Sequence, residues 1–255
     1  MINIWGCMAM INIVIPMAGS GSRFADKGYK KPKPFIDVGG MTMIERVLRN
    51  LQYPGAKYIL IARKEHMKSE VSLVNKIKKE FNACFVEIDG LTEGTACTVL
   101  YARKYINNKH PLLIANSDQI VDIDINLFID DCISRELDGS ILTFIDKSRD
   151  PKWSFVKLNQ AGLVEEVREK KAISEYATVG IYFYSRGSDY VDAAIDMIVE
   201  NDRTNGEFYV CPSYNYAIKD GRKIGIYNIL FGEMHGIGVP EDLDLYLDFI
   251  SHKPK

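Results

Sequence analysis

The stretch VIPMAGSGSRFADKGYKKPKPFIDVGG, Val14–Gly40, joins an apolar segment to a loop that is rich in glycine and positive charge. The apolar residues at its start predict a buried β-strand. Gly19 and Gly21 let the backbone come close to a ligand. Arg23 can grip phosphate oxygens as a planar fork, and Lys33 is held between two prolines. Glycines beside several cations indicate a site for an anion such as a polyphosphate.

The spacing within this loop matches neither of two common phosphate-binding motifs. The G-x-x-x-x-G-K-[ST] pattern is absent, and Phe24 stands where a dinucleotide-binding fingerprint has its third glycine. For the two glycines alone, a tight turn without a ligand is the alternative. The cations that follow them favour the polyphosphate site.

Composition restricts the class of protein. The chain has 255 residues, a formal net charge of −2 and 47% apolar residues, which suits one globular domain, here expected over residues 11–255. Residues 1–10 are expected to be an upstream extension. The near-neutral charge argues against a dedicated nucleic-acid binder, and no apolar run is long enough to span a membrane. Five scattered cysteines indicate reduced thiols and a cytoplasmic protein.

The first half of the chain alternates apolar runs with amphipathic segments. Predicted strands at 11–16, 57–62, 83–88 and 111–116 alternate with predicted helices at 41–51, 67–81 and 94–106. Because the strands are continuously apolar, they indicate a parallel sheet that is covered by helices on both faces.

The second half has more closely spaced strands. They are predicted at 139–145, 154–159, 162–169, 177–184 and 223–229, with helices at 188–201, 206–221 and 240–250. The sequence therefore predicts an α/β fold with a Rossmann-like, mostly parallel sheet, helices on both faces and a small antiparallel extension.

Asp118 stands at the end of the predicted strand in LLIANSDQ. Ligands of open α/β sheets bind at the carboxyl ends of the strands, so Asp118 is expected near the basic loop. A carboxylate facing a phosphate site indicates a cation between them, and Mg²⁺ held by one or two carboxylates and substrate phosphates fits. The alternative is an aspartate that caps the following turn. Asp122 and Asp124 are expected to be turn and helix-start residues.

Five blocks in order carry a resemblance: IPMAGSGSRF with KPKPFIDVGGMTMIERVLRNL, LTEGTACTVL, LLIANSDQ, VEEVREKKAISEYATVGIYFY and GIGVPEDLDLYL. Together they resemble the nucleotidyltransferase family of sugar-phosphate nucleotidylyltransferases, or pyrophosphorylases. NSDQ, PKWSFVKL and NGEFYVCPSYN resemble its subgroup associated with capsule and surface polysaccharides. The resemblance implies a GT-A-like nucleotidyltransferase fold and transfer of a nucleotidyl group to a phosphorylated acceptor with release of pyrophosphate.

The resemblance also implies roles for individual residues. Arg23, Lys33 and Asp118 are the expected catalytic residues, with Asp118 also the ligand of Mg²⁺. The nucleotide is expected to contact Ala18, Gly19, Ser20, Gly21, Ser22, Arg23, Glu93, Gly94, Thr95 and Asn116. By the same resemblance the acceptor is expected to contact Glu169 and Lys170. Apart from the resemblance, Trp153, Gly180, Asn205 and Glu207 are further expected acceptor residues.

Two positions depart from the family pattern. Lys171 replaces the proline that usually follows the acceptor lysine, and Gly236 stands where many relatives have a second metal-binding aspartate. Glu233, Glu207 or water would then have to complete the metal's ligands. His235 lies nearby and is more typical of a structural residue than of a ligand.

CTP is the expected nucleotide, because Glu93 replaces the glutamine that is common in the sugar enzymes. A carboxylate only accepts hydrogen bonds, and cytosine offers an exocyclic amino donor where uracil and thymine offer a carbonyl. A UTP- or dTTP-dependent sugar-1-phosphate pyrophosphorylase, a glycosyltransferase that uses a nucleotide-sugar, and a non-catalytic nucleotide-binding regulator are the alternatives.

Overall fold

The computed structural model describes residues 10–252. The extension predicted for residues 1–10 lies outside this part of the chain, apart from the exposed Met10. The strands within the described residues are β1 Asn12–Pro16, β2 Lys57–Arg63, β3 Cys84–Ile88, β4 Leu112–Ala115, β5 Gln119–Val121, β6 Gly139–Ile145, β7 Ser154–Leu158, β8 Val164–Glu169, β9 Tyr176–Tyr184, β10 Ile224–Ile229 and β11 Met234–Gly236.

The main sheet has the order β10-β6-β9-β4-β1-β2-β3. Strands β3, β2, β1 and β4 are parallel, as are β6 and β10, and only β9 runs against its neighbours in this row. The antiparallel β7–β8 hairpin joins the sheet through β9, and β5 pairs with β11 in a separate antiparallel ribbon. The predicted mostly parallel sheet with a small antiparallel extension is confirmed.

Both faces of the sheet are buried, as the continuously apolar strands predicted. In β1, Ile13 and Ile15 pack into one apolar cluster while Val14 packs into the other. The helices that cover the faces are α1 Ser22–Asp26, α2 Met43–Asn50, α3 Lys64–Ser69, α4 Val71–Phe81, α5 Thr95–Leu100, α6 Arg103–Ile106, α7 Ile125–Ser134, α8 Gly187–Val199, α9 Ser213–Lys219 and α10 Pro240–Ser251.

Three predicted helices are shorter or broken. The helix predicted at 67–81 is interrupted at Glu70, just after Ser69 turns its hydroxyl back onto the His66 carbonyl. The helix predicted at 94–106 tightens into i to i−3 hydrogen bonds at Tyr101 and Ala102 and restarts as α6. The helix predicted at 206–221 begins only at Ser213, because the preceding residues pair with another loop.

Sequence periodicity missed α1, α7, β5 and β11, which are short or follow a turn. Asp124 does start a helix, because its carboxylate accepts a hydrogen bond from the Asn126 amide as the N-cap of α7. Of the helices formed by residues 10–252, none combines the length and the apolar character that a membrane crossing requires.

Candidate functional site

The glycine-rich loop leaves β1 at its carboxyl end, as expected. Gly21 adopts a φ of 64°, and a Cβ there would lie 3.1 Å from the Cβ of Lys33, so the loop packs closely against that residue. A Cβ on Gly19 would meet no atom within 4 Å, which leaves its backbone open to a ligand. The two glycines therefore have different functions: Gly21 forms the turn and Gly19 leaves space.

The loop forms one wall of a cavity of about 420 Å³, which we call the glycine-loop cavity. Residues of the 91–98 segment and the residues that follow β4 form other walls of this cavity. Its lining residues are Pro16, Met17, Ala18, Gly19, Ser20, Gly21, Lys33, Pro34, Leu91, Thr92, Gly94, Thr95, Thr98, Asn116, Ser117, Asp118 and Glu207.

A second cavity of about 690 Å³, which we call the central cavity, lies beside the first. The β7–β8 hairpin, β9 and the turn after β11 contribute to it. Its lining residues are Arg23, Lys33, Thr95, Asn116, Asp118, Gln119, Lys152, Trp153, Ser154, Glu169, Lys170, Thr178, Val179, Gly180, Tyr182, Tyr209, Val210, Cys211, Gly236, Gly238, Val239 and Asp242.

Lys33, Thr95, Asn116 and Asp118 line both cavities. The Lys33 ammonium lies 2.5 Å from the Asp118 carboxylate, and each side chain is only about one-fifth to one-quarter exposed (20% and 24%). Sequence reasoning inferred a cation beside Asp118 and proposed a metal ion, whereas the structure places the Lys33 ammonium there. The ion pair lies at the junction of the two cavities.

Asn116 is held at this junction by Gly180 of β9. The backbone amide of Asn116 donates a hydrogen bond to the Gly180 carbonyl at 3.0 Å. A Cβ on Gly180 would lie 2.3 Å from the side-chain nitrogen of Asn116. Gly180 has a φ of 91°, which favours glycine independently. Gly180 thus makes room for Asn116, in addition to lining the central cavity.

Glu169 and Lys170, at the end of β8, were expected to contact the acceptor, and both line the central cavity. Burial raises the pKa of the Glu169 carboxyl, which accepts a hydrogen bond from the Ser154 hydroxyl. The Lys170 ammonium donates to the Tyr209 hydroxyl at 2.7 Å, and this hydrogen bond raises the pKa of Lys170. Trp153 lines the same cavity and packs edge-on against Phe144, with 5.3 Å between the two ring centroids.

Three further expected residues are divided among three cavities. Glu207 lines the glycine-loop cavity and is absent from the lining of the central one. Asn205 lies in a third cavity of about 380 Å³, whose lining includes Glu169, Lys170 and Lys171. Arg23 is exposed and lines the central cavity instead of the glycine-loop cavity.

Glu93 was expected to contact the base, and in the structure it pairs with Arg203 and is not part of the lining of the glycine-loop cavity. The Glu93 carboxylate accepts a hydrogen bond from the Arg203 guanidinium. Its side chain is 67% exposed. Sequence reasoning missed this pairing because the two residues are 110 positions apart.

The backbone beside Glu93 is nevertheless tightly fixed. The Phe208 amide donates to the Glu93 carbonyl at 2.8 Å, and the Ala96 amide donates to the Phe208 carbonyl at 2.9 Å. Gly94 has a φ of 130°, and a Cβ there would lie 2.3 Å from the Phe208 carbonyl oxygen. The 93–96 segment can approach Phe208 this closely only because residue 94 is glycine.

None of the metal-ligand substitutes considered from sequence lies in the central cavity. The Glu233 carboxylate accepts from the Leu230 amide, 2.8 Å away, and His235 contacts Asp122 at 2.9 Å and packs against Phe249. Within residues 10–252 no three His, Cys, Asp or Glu side chains form a metal-binding cluster. The donor set at Asp118 suits a cation whose remaining ligands are phosphate oxygens and water.

A half-buried arginine that sequence reasoning missed supports the glycine-rich loop from behind. Arg63, at the end of β2, donates to the Gly19 carbonyl at 3.4 Å and contacts the His66 ring at 2.6 Å. Burial, followed by the Arg63 charge, lowers the pKa of His66. Its position at a strand end was the only sequence signal, and Arg63 also forms an ion pair with Glu65 at 2.6 Å.

Comparison with known proteins identifies the family of this chain. The nucleotidyl transferase family matches residues 12–217, so the chain belongs to that family. It is 25% identical over 244 residues, 95% of its length, to the bifunctional protein GlmU of Methanococcus aeolicus, and spans about half (54%) of that relative.

Two solved structures share the fold. A nucleoside-diphosphate-sugar pyrophosphorylase from Vibrio cholerae superposes with a TM-score of 0.78 at 27% identity, covering 92% of this chain and 99% of that one. An inositol-1-phosphate CTP transferase from T. maritima superposes with a TM-score of 0.71 at 14% identity, covering 95% and 96% of the two chains. The latter likeness concerns the fold alone.

Proposed function

We propose that this chain transfers a nucleotidyl group from a nucleoside triphosphate, preferably CTP, to a phosphorylated small-molecule acceptor and releases pyrophosphate. The observation that carries the proposal is the common wall of the two cavities, formed by Lys33, Thr95, Asn116 and Asp118. A triphosphate along the glycine-rich loop and an acceptor beside Lys170 would meet at the Lys33–Asp118 pair.

The reaction needs charge neutralisation more than proton transfer. A phosphate oxygen of the acceptor forms a bond to the α-phosphorus, and the bond from that phosphorus to the bridging oxygen of pyrophosphate breaks. Because the nucleophile is already an anion, no general base is required. Lys33 and Arg23 reduce the repulsion between the two anions, and the fixed loop backbone positions the triphosphate.

Mg²⁺ fits this site as a cofactor. Asp118 supplies a carboxylate, and Mg²⁺ usually completes its octahedron with substrate phosphates and water. When bound, it would neutralise phosphate charge as the pyrophosphate leaves. Lys33 already contacts one Asp118 oxygen at 2.5 Å, so the metal and the lysine would share this carboxylate.

The preference for CTP is supported by Thr92 and Thr98, which line the glycine-loop cavity. Their hydroxyl oxygens are 2.6 Å apart, and both lie within hydrogen-bonding distance of the Gly94 carbonyl, at 2.8 and 3.2 Å. Each hydroxyl has one proton, and each proton has an internal acceptor. The lone pairs that remain can only accept, which favours the exocyclic amino group of cytosine over the carbonyl of uracil or thymine.

The acceptor is proposed to be zwitterionic, with phosphoglutamine of capsular polysaccharide biosynthesis as the specific candidate. Lys152, Lys170 and Glu169 place charges of both signs on the central cavity. Lys152 forms an ion pair with Asp150 at 3.4 Å, whereas a neutral sugar ring would leave Glu169 without a charged partner and the ammonium of an amino acid would supply one. Capsule synthesis rests on the subgroup resemblance of NSDQ, PKWSFVKL and NGEFYVCPSYN.

A sugar-1-phosphate pyrophosphorylase that uses UTP or dTTP is the second candidate. It is supported by the 27% identity to the Vibrio cholerae pyrophosphorylase over nearly the whole chain. Either enzyme would act in the cytoplasm, where nucleoside triphosphates and thiol-reducing conditions occur. Cys84, Cys97, Cys132 and Cys211 are unpaired, which agrees with such conditions.

A substrate panel tests the proposal. CTP, UTP, dTTP, GTP and ATP are each mixed with phosphoglutamine or glucose 1-phosphate, and pyrophosphate release is measured with Mg²⁺. We expect the highest kcat/KM for CTP with phosphoglutamine. A higher value for UTP or dTTP with glucose 1-phosphate would establish the second candidate, and no release with any pair would favour a non-catalytic nucleotide-binding protein.

Thr98→Val is the matched variant for the nucleotide, because it keeps the shape and removes the hydroxyl. It should reduce the ratio of kcat/KM for CTP to that for UTP by about tenfold, the effect of one hydrogen bond of about 1–1.5 kcal/mol. An unchanged ratio would remove the threonine pair from nucleotide selection.

A further inference from the structure

Gly236, the last residue of β11, and Gly238, in the turn that follows, line the central cavity together with Asp118 and add no side chain to it. A Cβ on Gly238 would lie 2.7 Å from the Asp118 carboxylate oxygen and 3.5 Å from the Lys33 ammonium. Gly236, two residues earlier, has more space, because a Cβ there would meet its nearest neighbours at 3.9 Å. Those two neighbours are the Asp242 carboxylate and the Gln119 amide oxygen.

Gln119 provides an independent sign of a ligand at this place. The residue follows Asp118 directly, lines the central cavity and is only 6% exposed. Its side-chain nitrogen is buried and has no hydrogen-bond partner within the described part of the chain. A buried amide donor without an acceptor is costly, so an oxygen of a bound phosphate, or of a water held by a cation, is the partner that this wall needs.

Asp242 has no ion-pair partner among residues 10–252, in contrast to its neighbour Glu241. Glu241 forms an ion pair with Lys27 at 3.1 Å and is absent from the lining of the central cavity. Both acids lie in the first turn of α10, where negative charge suits the helix dipole. The dipole accounts for an acid in this turn, but it does not account for the direction of Asp242 into the cavity beside Gln119.

We propose that Asp242 is the second carboxylate, with Asp118, of a divalent-cation site that forms when the triphosphate binds. The two carboxylates line the same cavity, and residues 236 and 238, which line it as well, are both glycine. Mg²⁺ sites in nucleotide enzymes use one or two carboxylates together with phosphate oxygens. Asp242 thereby supplies from α10 the charge that Gly236 does not. This inference rests on the proposed function.

Cation binding is measured without turnover. Mn²⁺ is titrated by electron paramagnetic resonance into the full chain with the methylene analogue of CTP, which cannot be cleaved between the α- and β-phosphates. Asp242→Asn should weaken Mn²⁺ binding at least tenfold, because it removes a full negative charge from the ligand set. Glu241→Gln, the matched control in the same helical turn, should leave Mn²⁺ affinity unchanged. Thermal unfolding confirms that both variants are folded.

A rescue variant tests the geometry directly. Gly236→Asp has ordinary van der Waals space, so Asp242→Asn combined with Gly236→Asp should recover most of the lost Mn²⁺ affinity. Unchanged affinity in Asp242→Asn, or an equal loss in Glu241→Gln, overturns the assignment of Asp242. Binding of the analogue to the wild type is titrated separately, and failure at that step refutes the proposed function instead.

Discussion

Lys33→Met removes the ammonium at the junction of the two cavities and keeps the aliphatic stem. The stem lies against Gly21, where an added Cβ would be 3.1 Å from the Lys33 Cβ, and methionine keeps this part of the side chain. The variant therefore tests the charge with little change in packing. The Asp118 carboxylate loses its partner and remains three-quarters buried.

The distance gives the size of the effect. For two unit charges 2.5 Å apart, the Coulomb energy is about 1.7 kcal/mol in water and about 6.6 kcal/mol at an effective dielectric constant of 20. Desolvation of the pair offsets part of this, so we expect Lys33→Met to reduce the free energy of unfolding by about 1–3 kcal/mol. Loss of an electrostatic contact in the transition state should reduce kcat by about 10²–10³, which corresponds to about 2.7–4 kcal/mol.

A double-mutant cycle separates stability from catalysis. Asp118→Asn removes the uncompensated charge, so the double variant Lys33→Met with Asp118→Asn should be more stable in urea unfolding than Lys33→Met alone. It should remain as inactive in pyrophosphate release as Lys33→Met, because the cation is still absent. Turnover near wild type in Lys33→Met, or recovered turnover in the double variant, would refute an electrostatic function for Lys33.

Other expectations concern glycines and a buried acid. Gly94→Ala should reduce the free energy of unfolding by more than about 2 kcal/mol in urea, because its φ of 130° is strained and its Cβ would meet the Phe208 carbonyl oxygen at 2.3 Å. Gly19→Ala should change unfolding little, since its Cβ meets nothing within 4 Å, but should weaken binding of the CTP analogue; unchanged binding would exclude contact at Gly19. Burial raises the pKa of Glu169 above 4.5, so its ionisation destabilises the folded state. Glu169→Gln should match wild-type stability below pH 4.5 and exceed it increasingly as pH rises through the raised pKa, while kcat/KM for the acceptor falls; a stability difference independent of pH would contradict this.

The parts of the site that sequence reasoning placed are those fixed by local chain geometry. Gly19, Lys33 and Asp118 each follow an apolar strand or lie within one loop of it. Parallel strands bring such loops to the same edge of a sheet, so the junction was predictable from the order of the blocks. What the Asp118 carboxylate contacts was not predictable, because a lysine and a metal ion satisfy the same charge requirement.

The parts that sequence reasoning misplaced depend on pairings between distant segments. The Glu93 carboxylate pairs with Arg203, whose guanidinium also packs over the Phe208 ring at 4.1 Å. The predicted helix at 206–221 starts late for the same reason, since Phe208 uses its backbone groups to pair with Glu93 and Ala96. Helical periodicity reports a buried face and carries no information about which backbone groups a neighbouring loop will use.

The segment Glu207–Tyr209 connects the two halves of the proposed reaction. Glu207 lines the glycine-loop cavity, and Tyr209 lines the central cavity and holds Lys170. Between them, the Phe208 backbone forms hydrogen bonds with Glu93 and Ala96, next to the glycine-loop cavity. A displacement of Phe208 would therefore move groups in both cavities at once. Because Phe208 fixes the turn at Glu93 and the adjacent Tyr209 fixes Lys170, this segment can hold the proposed nucleotide and acceptor sites in register around Lys33 and Asp118.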